Sequence, residues 1–251
     1  MSLTPRANDP WARLRGLTPA RIGLERAGAS LATGPLLALR LAHARARDAV
    51  DAELDVPRLR DDLGGTVLSV ASAAPDRRSY LLRPDLGRQL TSDAAATLGH
   101  HAEAWDLAIA VVDGLSAGAV QAHAAPLLGV LGPSLQAEGW RLAPAVVVCQ
   151  GRVAIGDAVA TCLHAGAVLV LIGERPGLSA PDSMGAYLTW RPGAATTDAD
   201  RNCLSNIRPA GLPPADAARK IAWMLGRMRA RGFSGVRLKD DADDPRLSGP
   251  G

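Results

Sequence analysis

The chain has 251 residues, of which 47% are hydrophobic and 3% aromatic, with a formal net charge of +3. This length suits one domain with an appendage or two small domains, with a largely aliphatic core. No apolar run approaches the roughly 20 residues of a membrane span, no apolar signal segment opens the chain, and the small net charge gives no argument for nucleic acid. We therefore expect neither a membrane nor a nucleic acid among its partners.

An arginine-rich segment opens the chain. Residues 1–48 carry eight arginines against three acidic residues. We predict a helical N-terminal arm over residues 1–60, in which Thr33-Gly-Pro35 starts a helix with Leu37 and Leu41 on one face. The charge excess fits either a solvated helical surface or a docking surface for an acidic partner protein. No aromatic interleaving or known motif accompanies the arginines, which disfavours binding to DNA or RNA.

The stretch 61–235 has the pattern of an α/β domain. Two short β-like runs, residues 66–72 and 79–83, are separated by a turn and predict a hairpin, and residues 91–103 predict a helix. Continuous apolar runs then alternate with helical stretches, as in parallel strands buried on both faces. This alternation predicts a Rossmann-like, doubly wound, mostly parallel sheet. The apolar runs are Leu107–Val112, Ala145–Cys149 and residues 168–172, and the helical stretches are residues 126–138 and 154–164.

The end of the domain has the clearest helical signal. A pair of prolines, Pro213 and Pro214, precedes an apolar stripe at helical spacing, and arginines occupy the last turn. Residues 236–251 are rich in charge and poor in apolar side chains, so we predict a disordered tail there. The stripe consists of Ala217, Ile221, Leu225 and Met228.

Few side chains carry an obvious chemistry. Glu174 directly follows a buried strand, where a carboxylate can accept hydrogen bonds from a ligand; the alternative is a salt bridge to Arg175. Cys203 lies in a polar stretch that we expect to be a loop near the sheet edge, as a ligand contact or as a small buried hydrophobe. Residues 113–118 could form an anion-binding turn or an ordinary capped turn. The histidines show no metal-binding spacing, so no metal site and no catalytic residue is assigned.

The three cysteines, Cys149, Cys162 and Cys203, are widely spaced. Their number and spacing predict neither a disulfide framework nor a zinc site, and they favour a reducing cytoplasm.

Several short sequence motifs follow one another along the chain. Residues 168–212 contain GERPGL, DSMGAYLTWRPG, TTDADR and CLSNIRP, and upstream lie YLLRPDLGRQL, DGLSAGAVQAH and GRVAIGDAVA. Over most of the chain, this set resembles the light (small) subunit of adenosylcobalamin-dependent ethanolamine ammonia-lyase. The number of separate motifs in the same order makes coincidence improbable.

The resemblance implies a function and a site. The small subunit would have a Rossmann-like core, here residues 61–235, that holds adenosylcobalamin together with a large TIM-barrel subunit that binds ethanolamine. The complex would convert ethanolamine to acetaldehyde and ammonia by a radical mechanism. The cofactor-binding positions of the family correspond to Val153, Glu174 and Cys203. The absence of an Asp-x-His-x-x-Gly motif agrees with a family in which dimethylbenzimidazole stays on cobalt.

Other interpretations stay open from the residues alone. One is a non-enzymatic α/β ligand-binding or regulatory subunit, and another is a Rossmann-like transferase that uses a different nucleotide. Some enteric relatives begin with a long extension that targets the enzyme to a bacterial microcompartment, whereas this chain reaches the shared region within about a dozen residues. We expect a cytoplasmic location, with the microcompartment as the alternative.

Overall fold

The N-terminal segment, residues 9–51, consists of a short helix, a small hairpin and a long helix. The computed structural model describes residues 9–239. The helix predicted to start at Thr33 is confirmed, but the segment is not wholly helical, because an antiparallel hairpin precedes that helix. The elements are α1 (Ala12–Arg15), β1 (Arg26–Ala27), β2 (Ser30–Leu31) and α2 (Thr33–Asp51).

A mixed six-stranded sheet forms the centre of the protein. Its strand order is β3-β5-β4-β6-β7-β8; the first four of these are parallel, and β7 and β8 are antiparallel to their neighbours. The α/β class is therefore confirmed, whereas the Rossmann-like doubly wound sheet is not, because the sheet is mixed. The strands are β3 (Val67–Ala71), β4 (Leu107–Val112), β5 (Ala145–Cys149), β6 (Ala167–Gly173), β7 (Met184–Trp190) and β8 (Arg201–Ile207).

Helices cover both faces of the sheet and produce two apolar cores. One core lies between the sheet and α3, α6 and α8, and the other lies between the sheet and α5 and α7. Every residue of β4 and β6 is buried, as their continuous apolar runs predict. Among residues 9–239, no helix is both long enough and apolar enough to cross a bilayer. The helices are α3 (Val56–Leu63), α4 (Arg77–Leu82), α5 (Ser92–Gly99), α6 (Ala117–Ala137), α7 (Ile155–Leu163) and α8 (Pro214–Arg231).

Two local predictions are wrong. The predicted hairpin is absent, because β3 pairs in parallel with β5 and the second run folds as α4. Asp76 caps that helix by accepting a hydrogen bond from the backbone N–H of Ser79 at 2.7 Å, and Tyr80 is buried beneath it. The helix predicted to begin at Pro126 instead begins at Ala117, so Pro126 and Pro133 lie inside α6.

The last helix and the residues after it pack on the sheet. All four residues of the predicted stripe of α8 are buried, and Gly232 ends the helix in the left-handed conformation. The chain then returns to the sheet, where Asn202 donates hydrogen bonds to the carbonyl groups of Gly235 and Leu238. The side chain of Leu238 is buried in the core. The remainder of the predicted tail, residues 240–251, lies outside the described residues.

Candidate functional site

The candidate site lies on the part of the sheet that helices leave open. On one face α8 packs against both β7 and β8. On the other face Cys203 and Ser205 of β8 are exposed and Tyr187 of β7 is half-buried. Cys203 and Tyr187 are register partners, so their side chains share this face. The antiparallel end of the sheet therefore presents an open platform beside the start of α7.

A cleft of about 350 Å³ lies over this platform. The platform residues form its floor, the residues directly before α7 form one wall, and the 3₁₀ helix Leu86–Arg88 contributes an arginine. The volume falls within the range of small-molecule sites. The lining residues are Arg88, Arg152, Val153, Ala154, Tyr187, Asp198, Arg201 and Cys203.

Two of the three predicted site residues, Val153 and Cys203, line this one cleft. Val153 follows β5, at the carboxyl edge of the parallel strands, as predicted. Cys203 lies inside β8 and not in a loop, which corrects the sequence-based expectation. Its sulfur lies 3.4 Å from the hydroxyl oxygen of Ser205 and is exposed, so Cys203 is not a buried hydrophobe.

Glu174 lies next to the cleft and folds back over the sheet. Its carboxylate accepts hydrogen bonds from the Ser183 hydroxyl and, at 3.2 Å, from the backbone N–H of Asn206. Among the described residues it forms no ion pair with Arg175, so the salt-bridge alternative is wrong. Gly185 makes room for it: a β-carbon there would lie 3.0 Å from Glu174 Oε1 and 3.2 Å from the Tyr187 ring. The Glu174 carboxylate and the Tyr187 ring therefore lie close together beside Gly185, which places Glu174 next to the cleft.

A buried network holds the turn that carries Val153. The carboxylate of Asp113, at the end of β4, accepts hydrogen bonds from the backbone N–H groups of Gln150 at 2.8 Å and Gly151 at 3.2 Å. Burial raises the pKa of Asp113, and these two backbone donors and Arg77 counteract that effect by stabilising the charged form. The network fixes the chain between β5 and α7, and therefore the wall of the cleft.

The turn over residues 113–118 uses its first amides for hydrogen bonds within the chain. The N–H of Gly114 donates to the Asp113 carboxylate, and the N–H of Leu115 donates to the carbonyl of Gly173. A β-carbon at Gly114 would lie 2.3 Å from that same carbonyl oxygen, so this close approach requires glycine. The amides of Gly114 and Leu115 therefore already have partners, and the hydroxyl of Ser116, which precedes α6, donates to the Pro181 carbonyl and does not cap the helix.

An ion pair ties the platform to α7. Arg201 donates two hydrogen bonds to the carboxylate of Asp157, at 2.7 and 2.6 Å, and its side chain is only 4% exposed. It also contacts Asp198 at 3.4 Å. Two hydrogen bonds in this geometry fix orientation as well as distance. The pair holds β8 and its Cys203 at a defined distance from the wall formed by Val153.

Among the lining residues, only Val153 and Cys203 were assigned from sequence. Besides Ala154, five others were not assigned: Arg88, Arg152, Tyr187, Asp198 and Arg201. All five lie within quoted motifs: Arg88 in YLLRPDLGRQL, Arg152 in GRVAIGDAVA, Tyr187 in DSMGAYLTWRPG, and Asp198 and Arg201 in TTDADR. Only the folded chain shows that they line one cleft. Within residues 9–239, no group of three or more His, Cys, Asp or Glu side chains is placed to share a metal ion.

The fold and this site together define an α/β protein with a small-molecule cleft on the open end of a mixed sheet. Residues 8–239 match the family described as ethanolamine ammonia-lyase light chain (EutC). The chain belongs to this family.

Similar proteins carry the corresponding name. The chain is 51% identical to the ethanolamine ammonia-lyase small subunit of Azotobacter vinelandii, over 99% of this chain and 94% of that protein. It is 52% identical to the small subunit of Xanthomonas campestris pv. campestris, over 95% of this chain and 90% of that protein. The small subunit of Ralstonia nicotianae is 51% identical over 95% and 91%, respectively.

Proposed function

We propose that this chain is the small subunit of an adenosylcobalamin-dependent ethanolamine ammonia-lyase. With a large subunit it binds the cofactor and converts ethanolamine to acetaldehyde and ammonia by a radical mechanism. The observation that carries the proposal is the convergence of the family's cofactor-binding positions: Val153 and Cys203 line one cleft, and Glu174 adjoins it. When bound, adenosylcobalamin supplies the radical that starts the reaction.

The chemistry of the cleft fits a corrinoid. Val153, Ala154 and the Tyr187 ring provide apolar contact area, and the Glu174 carboxylate is an acceptor for the amides at the periphery of a corrin. Arg88 and Arg152 also line the cleft, and their guanidinium groups are hydrogen-bond donors. A corrinoid is larger than 350 Å³, so the chain offers one wall of a site that a second subunit completes.

The roles of this chain's residues are to bind and to orient. Among the residues that line the cleft, no nucleophile is paired with a base, so the cleft itself offers no such pair for acid–base or covalent catalysis. A radical reaction also needs a site closed to water. We assign residues 61–235 to cofactor binding and residues 1–60 to contact with the large subunit.

The test combines assembly, binding and activity. The chain is co-expressed with the large-subunit gene product of the same organism, and the purified complex is titrated with adenosylcobalamin by visible absorption and assayed for acetaldehyde. We expect one corrinoid site that needs both chains, activity in the complex, and none in either chain alone. Acetaldehyde production by the isolated chain, or a complex that binds no corrinoid, would contradict the proposal. Tight binding of a free nucleotide by the isolated chain would favour the transferase alternative.

A further inference from the structure

The cleft contains more positive charge than its own acidic residues balance. Three arginines, Arg88, Arg152 and Arg201, line it together with one acidic residue, Asp198. Arg201 already has its partners, because it bonds Asp157 through two nitrogens and also contacts Asp198. The excess therefore resides on Arg88 and Arg152.

Arg152 is held in place but not neutralised. Its guanidinium stacks on the Tyr80 ring at 4.3 Å, and Nη2 donates a hydrogen bond to the Tyr80 carbonyl at 3.3 Å. Its Nε atom is buried and has no partner, and no carboxylate among the described residues forms an ion pair with it. An anion in the cleft would meet the terminal nitrogens of this guanidinium and balance a charge that no carboxylate among residues 9–239 balances.

Arg88 lies on the same wall. The backbone N–H of Arg152 donates to the carbonyl of Gly87 at 2.7 Å, and a β-carbon at Gly87 would lie only 2.9 Å from Arg152 Cγ. The two chain segments are therefore in direct contact. The side chain of Arg88 is exposed and has no hydrogen bond or ion pair with any residue between 9 and 239. Two guanidinium groups without acidic partners thus converge on one cavity.

A second cavity continues beyond these arginines. It has a volume of about 550 Å³ and shares Arg88 and Ala154 with the cleft. Apolar side chains, among them Leu90, Ala95 and Ala158, contribute to its lining. Arg88 therefore lies between the two cavities, where an anionic group of a ligand in the cleft would meet it.

We propose that Arg88 and Arg152 form an anion subsite that binds the phosphodiester of the corrinoid's nucleotide arm. This inference rests on the proposed function and adds to it the recognition of one chemical group. A guanidinium is planar and binds phosphate oxygens through two parallel donors, and it keeps its charge at any physiological pH.

The experiment compares two ligands that differ in this arm. The complex with the large subunit is titrated with adenosylcobalamin and with adenosylcobinamide, which lacks the phosphodiester and the base. Arg152→Met and Arg88→Met remove the charges, and Arg152→Lys keeps a charge without the planar donors. Arg141→Met is the matched control, because Arg141 is a partly exposed arginine at the opposite edge of the sheet, paired with Glu103.

We expect each Arg→Met change to weaken adenosylcobalamin binding about 10- to 100-fold and to leave adenosylcobinamide binding unchanged. Arg152→Lys should recover part of the loss, and Arg141→Met should have no effect on either ligand. The readout is the dissociation constant from visible absorption, so it does not depend on activity. Arg88 is exposed, so its variant should fold normally.

Other outcomes overturn the inference. Equal weakening of both ligands would mean that Arg152 supports the cleft without contacting a phosphate. If inorganic phosphate binds the wild-type complex and not the Arg variants, while adenosylcobalamin affinity stays constant, the subsite takes a separate phosphate and not the nucleotide arm. A wild-type complex that binds neither corrinoid would instead reject the proposed function itself, so the two failures are distinguishable.

Discussion

The leucines of the N-terminal segment are largely exposed, whereas most of those in the six-stranded sheet are buried. In α2 the only buried residue is Pro35, and Leu37 and Leu41 are 57% and 52% exposed. In β6 all seven residues are buried. The sheet has helices on both faces to pack against, whereas α2 has little of the chain beside it. Apolar content therefore does not decide burial; the presence of a complementary surface does.

This difference suggests a division of roles. The sheet contains its own core, and the N-terminal segment exposes apolar and basic side chains that a partner could cover. Arg21 of this segment donates a hydrogen bond to the carbonyl of Leu178, in the loop between β6 and β7, at 3.3 Å. The segment therefore reaches the loop that follows Glu174. A single partner surface could contact the segment and close the cleft.

The largest expected effect is on the stability of the sheet. Leu171→Ala removes a fully buried side chain from β6 and should lower the free energy of unfolding by about 3 kcal/mol, through lost burial and the cavity left behind. Leu41→Ala makes the same change on an exposed face and should cost less than about 0.5 kcal/mol. Urea denaturation of the isolated chain measures both. Similar losses for the two variants would mean that α2 is packed as firmly as the sheet.

The second prediction concerns the cleft. Glu174→Gln keeps the shape of the side chain but removes its charge, and it should weaken adenosylcobalamin binding in the complex by about 1–3 kcal/mol. The amount of assembled complex should stay the same, because Glu174 lies in the sheet region. Glu103→Gln is the control, since Glu103 is exposed and pairs with Arg141. If affinity is unchanged in Glu174→Gln, the carboxylate only anchors Ser183 and Asn206.

The third prediction concerns the N-terminal segment. Changing Leu37 and Leu41 together to serine should weaken association with the large subunit by about 1–2 kcal/mol, because two leucines lose apolar burial at the interface. Corrinoid affinity per assembled complex should not change. Val130→Ser is the control, an exposed apolar residue on α6. Analytical ultracentrifugation gives the association constants. Unaltered assembly would mean that the segment is a solvated surface and not part of the interface.

The dependence of association on salt distinguishes the contribution of the segment's charges from that of its apolar face. Association of the intact chain should weaken as ionic strength rises, because exposed charge pairs are screened. Deleting residues 1–30 removes five of the arginines, at positions 6, 13, 15, 21 and 26, and should abolish most of that salt dependence. The α/β region should still unfold cooperatively. A truncated chain that keeps the full salt dependence would locate the relevant charges elsewhere.

The smallest effect is the pH dependence of stability that comes from the two tyrosines, Tyr80 in α4 and Tyr187 in β7. Burial raises the pKa of Tyr80 to about 12 and also raises that of Tyr187. Because the folded state disfavours tyrosinate, the stability that neutral Tyr80 contributes is present below pH 10 and is lost as the pH rises from 10 towards 12. Tyr80→Phe removes its hydrogen bond to the Gly151 carbonyl and should cost about 1 kcal/mol at neutral pH. Ultraviolet titration that showed two tyrosinates at pH 10 in the folded protein would contradict the burial.

The sequence by itself determined the buried strands and the last helix. Runs such as Leu107–Val112 are short and apolar at every position, which favours a strand covered on both faces. The stripe of α8 is equally unambiguous, because its period matches one face of a helix. The motifs also predict Val153, Glu174 and Cys203 as site residues, although they could not tell that Cys203 lies within a strand.

Only the tertiary structure decided the remainder. α6 runs through Pro126 and Pro133 because its packing against α8 and the sheet outweighs the local cost of proline, which a sequence window cannot see. The run that contains Tyr80 folds as a helix because Asp76 caps it and the Tyr80 ring is buried. Arg88 and Arg152 meet through a backbone contact between segments some sixty residues apart. Long-range packing sets such contacts, so no local pattern encodes them.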